Sequence, residues 1–446
     1  MKTNHLPGIL DTSIRDGSYV FNFQFTKEDT FLIARNLSNA GIKHIEVGHG
    51  LGLKASESKG IAAEKDSVYI KSAREAVREK SLIGCFFIPG IGDEASIYEA
   101  FDAGLQFIRI GIDVDEYEKL DKYIKICKSL NLEIWVNLMK TYLVKPKKFG
   151  EIVNYLESKG VDVVSIVDSA GGMLPQDIKA YTSEGLKAGS IPLAFHGHDN
   201  LTLAVSNCLK FIECGGKFID CSLCGLGRGA GNASTEIITG ILKRMGKLSS
   251  EINHDLLIQL AENYNNFLSS FKPIKTANQI SIGLNYFHSA NEKLIFEAQS
   301  ITGASFPNIL NKLPKHTRKS LTLGDAIKAG EKVKPIKKET FLDFAEINIH
   351  RLQPKNIEEL KNSIEVNAGK TLLSRVISIS LSNERKTPHI GPLRKGHKTL
   401  ISHIEIRNFL EFKEIYEELK DYAELWLIDK NLFSSEMMKL KNKNNK

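Results

Sequence analysis

Two histidines, His196 and His198, stand one residue apart in the run PLAFHGHD (192–199), and Asp16 lies in the run DTSIRDG (11–17). Side chains at i and i+2 of an extended strand leave the same face, so both imidazoles of the pair can turn toward one point. A carboxylate brought to that point completes a set of two nitrogen ligands and one oxygen ligand. Such a set can hold a divalent ion and leave coordination positions open for a small molecule. An HxH pair alone often does no more than satisfy hydrogen bonds. What favours an ion here is Asp16 at the matching end of a second strand. An ion so held can chelate the carboxylate and keto oxygens of a 2-keto acid and act as a Lewis acid on its enolate. Carbon–carbon cleavage or condensation then needs no Schiff-base lysine. Arg15, beside Asp16, can place a permanent positive charge at the enolate oxygen; its plainer alternative is an arginine–carboxylate strut.

Two further segments add donors. VDSAGG puts Asp168 and Ser169 at another strand end, and GLGRGAGNASTE is a glycine-rich loop ahead of a helix, where amides can receive an anion. Gly229 and Asn232 of that loop are expected on the substrate side. Alone, the glycines are a weak dinucleotide signal.

These residues need elements to hold them. Residues 8–223 repeat a short apolar run, a turn and a helical segment, with strands expected at 8–14, 44–49, 82–89, 107–113, 133–139, 161–168, 192–199 and 217–223. Eight such units predict a (β/α)8 TIM barrel, whose sites gather at the C-terminal ends of the strands. An open doubly wound sheet is the competitor, but it seldom needs eight evenly spaced units. The organisation expected is a barrel over 1–250, a helical extension completing the site over 251–310, a basic connector over 311–344, and a small α/β domain over 345–446. In that last part a helix after Asn356, with Glu359 placed for a capping box, is expected together with strands at 375–382, 399–407 and 424–430 and a helix at 409–423.

The formal charge of +7 raises the question of nucleic acid. The excess is local: residues 311–340 hold nine Lys and Arg against three Asp and Glu. A solvated connector is the simpler reading, so neither a nucleic-acid nor a membrane partner is expected. Six cysteines in so long a chain do not form a disulfide framework, and the lone CxxC at Cys221 and Cys224 lacks partners for zinc. Without an export signal or an apolar run of about 18 residues, a cytoplasmic protein is expected.

DTSIRDG, HIEVGHGLGL, VDSAGGM, HGHDNLTLAVSN and CSLCGLGRGAGNASTE, in this order and spacing, resemble the metal-dependent aldolase/lyase superfamily that includes isopropylmalate synthase and hydroxymethylglutaryl-CoA lyase. The 4-hydroxy-2-oxovalerate aldolases are most similar, chiefly through HGLGL and SLCGLGRGAGNA, over about residues 8–310. The resemblance implies Asp16, His196 and His198 as metal ligands, Arg15 as enolate stabiliser, Ser169 near the pyruvyl carboxylate, and Mn2+ or Mg2+ as the ion. Two positions depart from it. Those aldolases carry a histidine, the catalytic base, where this chain has Tyr19, and a tyrosine where an ungapped alignment places His288, two residues after Tyr286. The acid–base pair thus reads as exchanged rather than lost, with either Tyr19 or His288 to handle the hydroxyl proton. The resemblance implies a class II aldolase that splits a 4-hydroxy-2-keto acid into pyruvate and an aldehyde. A Claisen-type synthase or lyase using an acyl-CoA, and an inactive barrel serving as scaffold or sensor, stand as alternatives. The tail lies outside the resemblance, which weighs against an aldehyde dehydrogenase partner; a homo-oligomer stays open.

Overall fold

The computed structural model describes residues 6–268 and 275–333, together with 344–349, 373–380, 398–405, 415–417 and 425–428 of the remainder. Eight parallel strands close into a barrel: β1 (Gly8–Asp11), β2 (His44–Val47), β3 (Leu82–Phe87), β4 (Phe107–Asp113), β5 (Glu133–Met139), β6 (Val163–Asp168), β7 (Leu193–Gly197) and β8 (Phe218–Cys221). Closure pairs Gly8 with Phe218 and Asp11 with Cys221. Helices alternate with the strands: α1 (Lys27–Asn39), α2 (Asp66–Val77), α3 (Glu94–Asp102), α4 (Asp121–Ser129), α5 (Pro146–Ser158), α6 (Pro175–Ala188), α7 (Ala204–Glu213) and α8 (Thr235–Arg244).

Strand alternation sorts the sequence into two environments. Outward residues such as Ile45, Ile83, Ile108, Val136, Val164 and Ile219 join the helices in one apolar core. Inward residues fill the barrel from below. Leu10, Phe107, Trp135, Val163 and Ala194 close the floor, with His44 edge-on to Phe107 at 5.3 Å between centroids. The next inward residue of a strand, two positions on, is then dry and walled by protein. Several of those positions carry charge.

Helix α9 (His254–Leu268) follows the barrel, and a second apolar cluster is built by α10 (Ala277–Asn285), α11 (Glu292–Thr302), α12 (Phe306–Lys312) and α13 (Leu323–Glu331). Here the solvated connector expected from 311 is corrected. Residues 311–333 are mostly helical, and Leu313, Leu321, Ala326 and Ala329 are buried with Ile295, Phe306 and Ile309. Thr322 and Asp325 form a reciprocal capping box at the start of α13. The described lysines of that stretch, Lys312, Lys315, Lys319, Lys328 and Lys332, occupy the outer side of a packed helical layer; 334–343 lie outside the described residues. Residues 1–334 form one compact unit and 335–446 another.

The second unit contains a parallel sheet in the order β12 (Leu425–Ile428), β10 (Leu373–Ser380), β11 (Lys398–Glu405), β9 (Phe344–Ile349). Three of these strands were expected within two residues; β9 was not. The helix expected after Asn356 and most of the one at 409–423 lie outside the described residues. No described helix is long and apolar enough to cross a membrane.

A chain ending at 334 is expected to melt in one cooperative transition. One ending at 310 strips buried partners from the second cluster, each worth about 1–3 kcal/mol, and should melt lower or lose solubility. Equal calorimetric melting temperatures would show that residues 311–333 do not share that core.

Candidate active site

Asp16, His196 and His198 meet at the mouth of the barrel, each offering a ligand atom within 4.8 Å of the others. All three are buried, at 2–5% exposure. His196 faces its Nδ1 to the Asp220 carboxylate at 3.1 Å, an arrangement in which an Nδ1–H donor leaves the Nε2 lone pair free. His198 keeps a buried Nδ1 with no hydrogen-bond partner. Burial first, then the charges of His196, Arg228 and Arg15, push the His198 imidazole down to about 3 against the pull of Asp16. Burial would raise the Asp16 carboxyl, but Arg15, both histidines and the Asn232 hydrogen bond hold it well below the usual carboxylate range. A carboxylate and two imidazoles, one with an orphaned nitrogen, fit a divalent cation.

Beneath the mouth runs a chain of buried ionic contacts. Arg15 donates from Nη1 to Asp16 Oδ1 at 2.6 Å and from Nε to Glu46 Oε2 at 2.8 Å. Arg109 Nη1 donates to the same Glu46 oxygen at 2.8 Å, and its Nη2 contacts Asp220 Oδ2, the atom that faces His196. The chain therefore leaves one prospective ligand, Asp16, and returns to another, His196. Glu46 and Arg109 are fully buried. Two arginines against three carboxylates leave one negative charge in excess, next to the two imidazoles, which is where a cation would be stabilised. Beside this chain, Gly111 leaves space for the Phe86 ring, since a Cβ there would stand 2.3 Å from Phe86 Cζ. The ring in turn supports the Arg15 guanidinium, with Cζ 4.8 Å from its centroid.

Above the cluster opens a cavity of about 270 Å³. Its walls use strand alternation repeatedly, through Phe86 and Ile88, Asn137 and Met139, Val167 and Ser169, and His196 and His198. Arg15, Tyr19, Ser169 and His288 all line it. Ser169 Oγ accepts from the Lys140 amide at 2.9 Å, which leaves its hydroxyl proton available. Tyr19 rests where HGLGL has Gly50; a Cβ at Gly50 would stand 2.5 Å from the Tyr19 ring. Within the same motif His49 is a staple: its Nδ1 accepts from Leu51 N at 3.0 Å and its ring stacks on Phe23.

His288 enters the cavity from the segment after α10, and the ambiguity with Tyr286 disappears. The Tyr286 hydroxyl lies 3.3 Å from Asp177, its ring packs on Tyr142, and it does not line the cavity. Burial, then Arg228 and Lys140, hold the His288 imidazole well below its ordinary value. Tyr19 is moved the other way, above 10, chiefly by burial.

Three residues expected on the substrate side do other work. The Asp168 carboxylate accepts from the amides of Gly172 at 3.1 Å and Met173 at 2.9 Å, so it fastens the loop after β6. Burial outweighs those amides and raises it to about 6. Asn232 donates to Asp16 Oδ2 at 2.6 Å, orienting the ligand rather than opening onto the cavity. Gly229, at φ +64, turns its loop against Gln279 and Ser289. Sequence reasoning missed Glu46, Arg109, Asp220, Asn137 and Arg228. The first three were detectable as lone charges inside apolar strand runs. None of the six cysteines is in a disulfide.

The HMGL-like family model matches residues 7–263. The 4-hydroxy-2-oxovalerate aldolase of Moorella thermoacetica is 39% identical over 239 residues, 53% of this chain and 70% of the relative. The oxaloacetate decarboxylase of Mycobacterium tuberculosis is 36% identical over 248 residues, 56% of this chain and 73% of the relative. Among solved structures, the N-terminal domain of a provisionally assigned aldolase from Bacteroides vulgatus superposes with a TM-score of 0.56 at 25% identity, covering 68% of this chain and 99% of that one.

The cluster should bind about one divalent ion per chain, and His196→Ala or Asp16→Asn should abolish binding in a protein that still folds. Metal analysis of the purified variants decides this. Wild-type occupancy in either would remove the assignment.

Proposed function

We propose, from the premise that the chain belongs to the HMGL-like family, that it is a divalent-metal-dependent aldolase reversibly cleaving a 4-hydroxy-2-keto acid to pyruvate and an aldehyde. The observation that carries this reading is the convergence of Asp16, His196 and His198 in a cavity that also presents Arg15, Tyr19 and His288. Asp16, His196 and His198 would hold Mn2+ or Mg2+, two imidazoles suiting the former better. When bound, the ion supplies a Lewis acid for the carboxylate and keto oxygens of the substrate.

The chain's own groups account for the rest. Arg15, fixed by Glu46 and Asp16, stands ready for the charge that develops on the C2 oxygen. Ser169 can donate its hydroxyl to the substrate carboxylate. In cleavage the C4 hydroxyl loses a proton and the C3–C4 bond breaks. Its electron pair passes into the pyruvate enolate, and C3 then takes up a proton to become the methyl group. His288, held below its ordinary value, is neutral at pH 7 and can accept the hydroxyl proton. Tyr19, held above 10, is a hydrogen-bond donor at that pH and orients the substrate. The sign of the pH dependence follows. Cleavage needs neutral His288, so it should persist as pH falls through 6.5 and fail only well below it.

A second reading follows from the oxaloacetate decarboxylase relative. Decarboxylation forms the same pyruvate enolate with carbon dioxide leaving, so it needs no base at a C4 hydroxyl. A Claisen-type reaction and an inactive scaffold are not favoured beside the aldolase relatives.

Pyruvate methyl protons should exchange with solvent deuterium in a manner that depends on both metal and Arg15. His288→Ala should retain exchange yet cleave a 4-hydroxy-2-keto acid roughly 10²–10⁴-fold more slowly, with Tyr19→Phe costing less. Wild-type exchange in Arg15→Ala would make the arginine structural. Robust oxaloacetate decarboxylation, without 4-hydroxy-2-keto acid cleavage, would decide for the second reading.

A further inference from the structure

We infer that the aldehyde half of the substrate carries its own anionic group, a carboxylate or a phosphate, and that Arg228 binds it. The inference rests on the aldolase reading above and names the substrate class for that site.

Arg228 lies in the loop between β8 and α8 and lines the cavity. Its guanidinium Cζ sits 5.2 Å from the centroid of the Tyr19 ring, and its Nη2 contacts His288 Nε2. It therefore stands at His288, which the proposed reaction sets at the C4 hydroxyl, the end of the substrate that becomes the aldehyde. The other cations of the cavity wall are each matched by a carboxylate: Arg15 by Asp16, Lys140 by Asp113, and Lys319 by Asp115. Among the described residues no carboxylate makes a salt bridge to Arg228. Its Nε is buried and without a hydrogen-bond partner. A guanidinium so placed presents a planar fork of N–H donors, the geometry that matches a carboxylate or phosphate.

His288 gives an independent reason. Its Nδ1 faces the Ala290 amide at 3.1 Å while its Nε2 faces Arg228. A neutral imidazole has one lone pair and one N–H, so it cannot accept from both. The Arg228 contact opposes the role proposed for this histidine until the guanidinium has a better acceptor. An anion on Arg228 supplies that acceptor and frees Nε2 for the hydroxyl proton. The balance of charge agrees: with Arg15, Lys140 and Lys319 each matched by a carboxylate, Arg228 is the cation of the cavity wall left without one among the described residues.

The test is condensation of pyruvate with matched aldehydes, measured as kcat/KM. Glyceraldehyde 3-phosphate is compared with glyceraldehyde, and succinate semialdehyde with butanal, in wild type and Arg228→Gln. Pyruvate deuterium exchange is followed in parallel. Wild type should prefer one anionic member over its neutral counterpart roughly 10- to 100-fold, the scale of a charge-assisted hydrogen bond. The pair with the larger ratio identifies phosphate or carboxylate as the anion. In Arg228→Gln that ratio should fall toward one while exchange persists. Wild type that exchanges pyruvate protons but shows no preference in either pair overturns the inference and leaves the aldolase reading standing, as does a folded Arg228→Gln that keeps the ratio. Wild type that exchanges no pyruvate protons overturns both.

Discussion

Five ionised groups, Asp16, Arg15, Glu46, Arg109 and Asp220, are carried through the dry interior of the barrel in one connected chain. Removing such groups from water costs several kcal/mol each unless the partners are well placed. This chain is not fully satisfied, since Glu46 Oε1, Arg109 Nε and Asp220 Oδ1 are buried without partners. Apolar side chains would fill the same space more cheaply, as they do one layer below around Trp135. What the ionic chain adds is position. It fixes Asp16 at one end and, through Asp220, the orientation of His196 at the other. Both ends offer a ligand atom within 4.8 Å of one on His198, and the uncompensated negative charge lies where an ion would be held.

The second determinant is the upper wall, where Tyr19, Arg228 and His288 come from three distant parts of the sequence. Tyr19 fits because Gly50 leaves room for its ring, and His288 arrives because the helices after the barrel pack as a continuation of the same compact unit. The two groups are driven in opposite directions, the phenol upward and the imidazole downward, chiefly by the same burial. Environments that separate the protonation behaviour of neighbouring groups in this way suit one to donate and the other to accept. The geometry therefore accommodates the exchange of histidine and tyrosine expected from the sequence.

Much of this was legible in the sequence where a single period or strand end carried it. The eight strands announce themselves by short β-branched runs, and HxH on a strand forces two imidazoles to one face. The ionic chain was not legible. Glu46, Arg109 and Asp220 each read as a stray charge in an apolar run, and their partners lie 24 to 111 residues away. Asp168 misled for the converse reason: it lies at a strand end, but its carboxylate is occupied by the loop's own amides. The basic stretch from 311 misled because Lys content was weighed above the spacing of Leu313, Leu321, Ala326 and Ala329, which a helical layer buries.

On the proposed function, a buried charge that touches no ion sets how well the site holds its metal. Titration calorimetry of Mn2+ into Asp220→Asn tests it most directly, because the substitution keeps the shape of the side chain and removes the charge facing His196. The expected result is a folded protein that binds Mn2+ roughly 10- to 100-fold more weakly, the usual effect of losing a group that orients a ligand. A folded Asp220→Asn protein with wild-type affinity would contradict it.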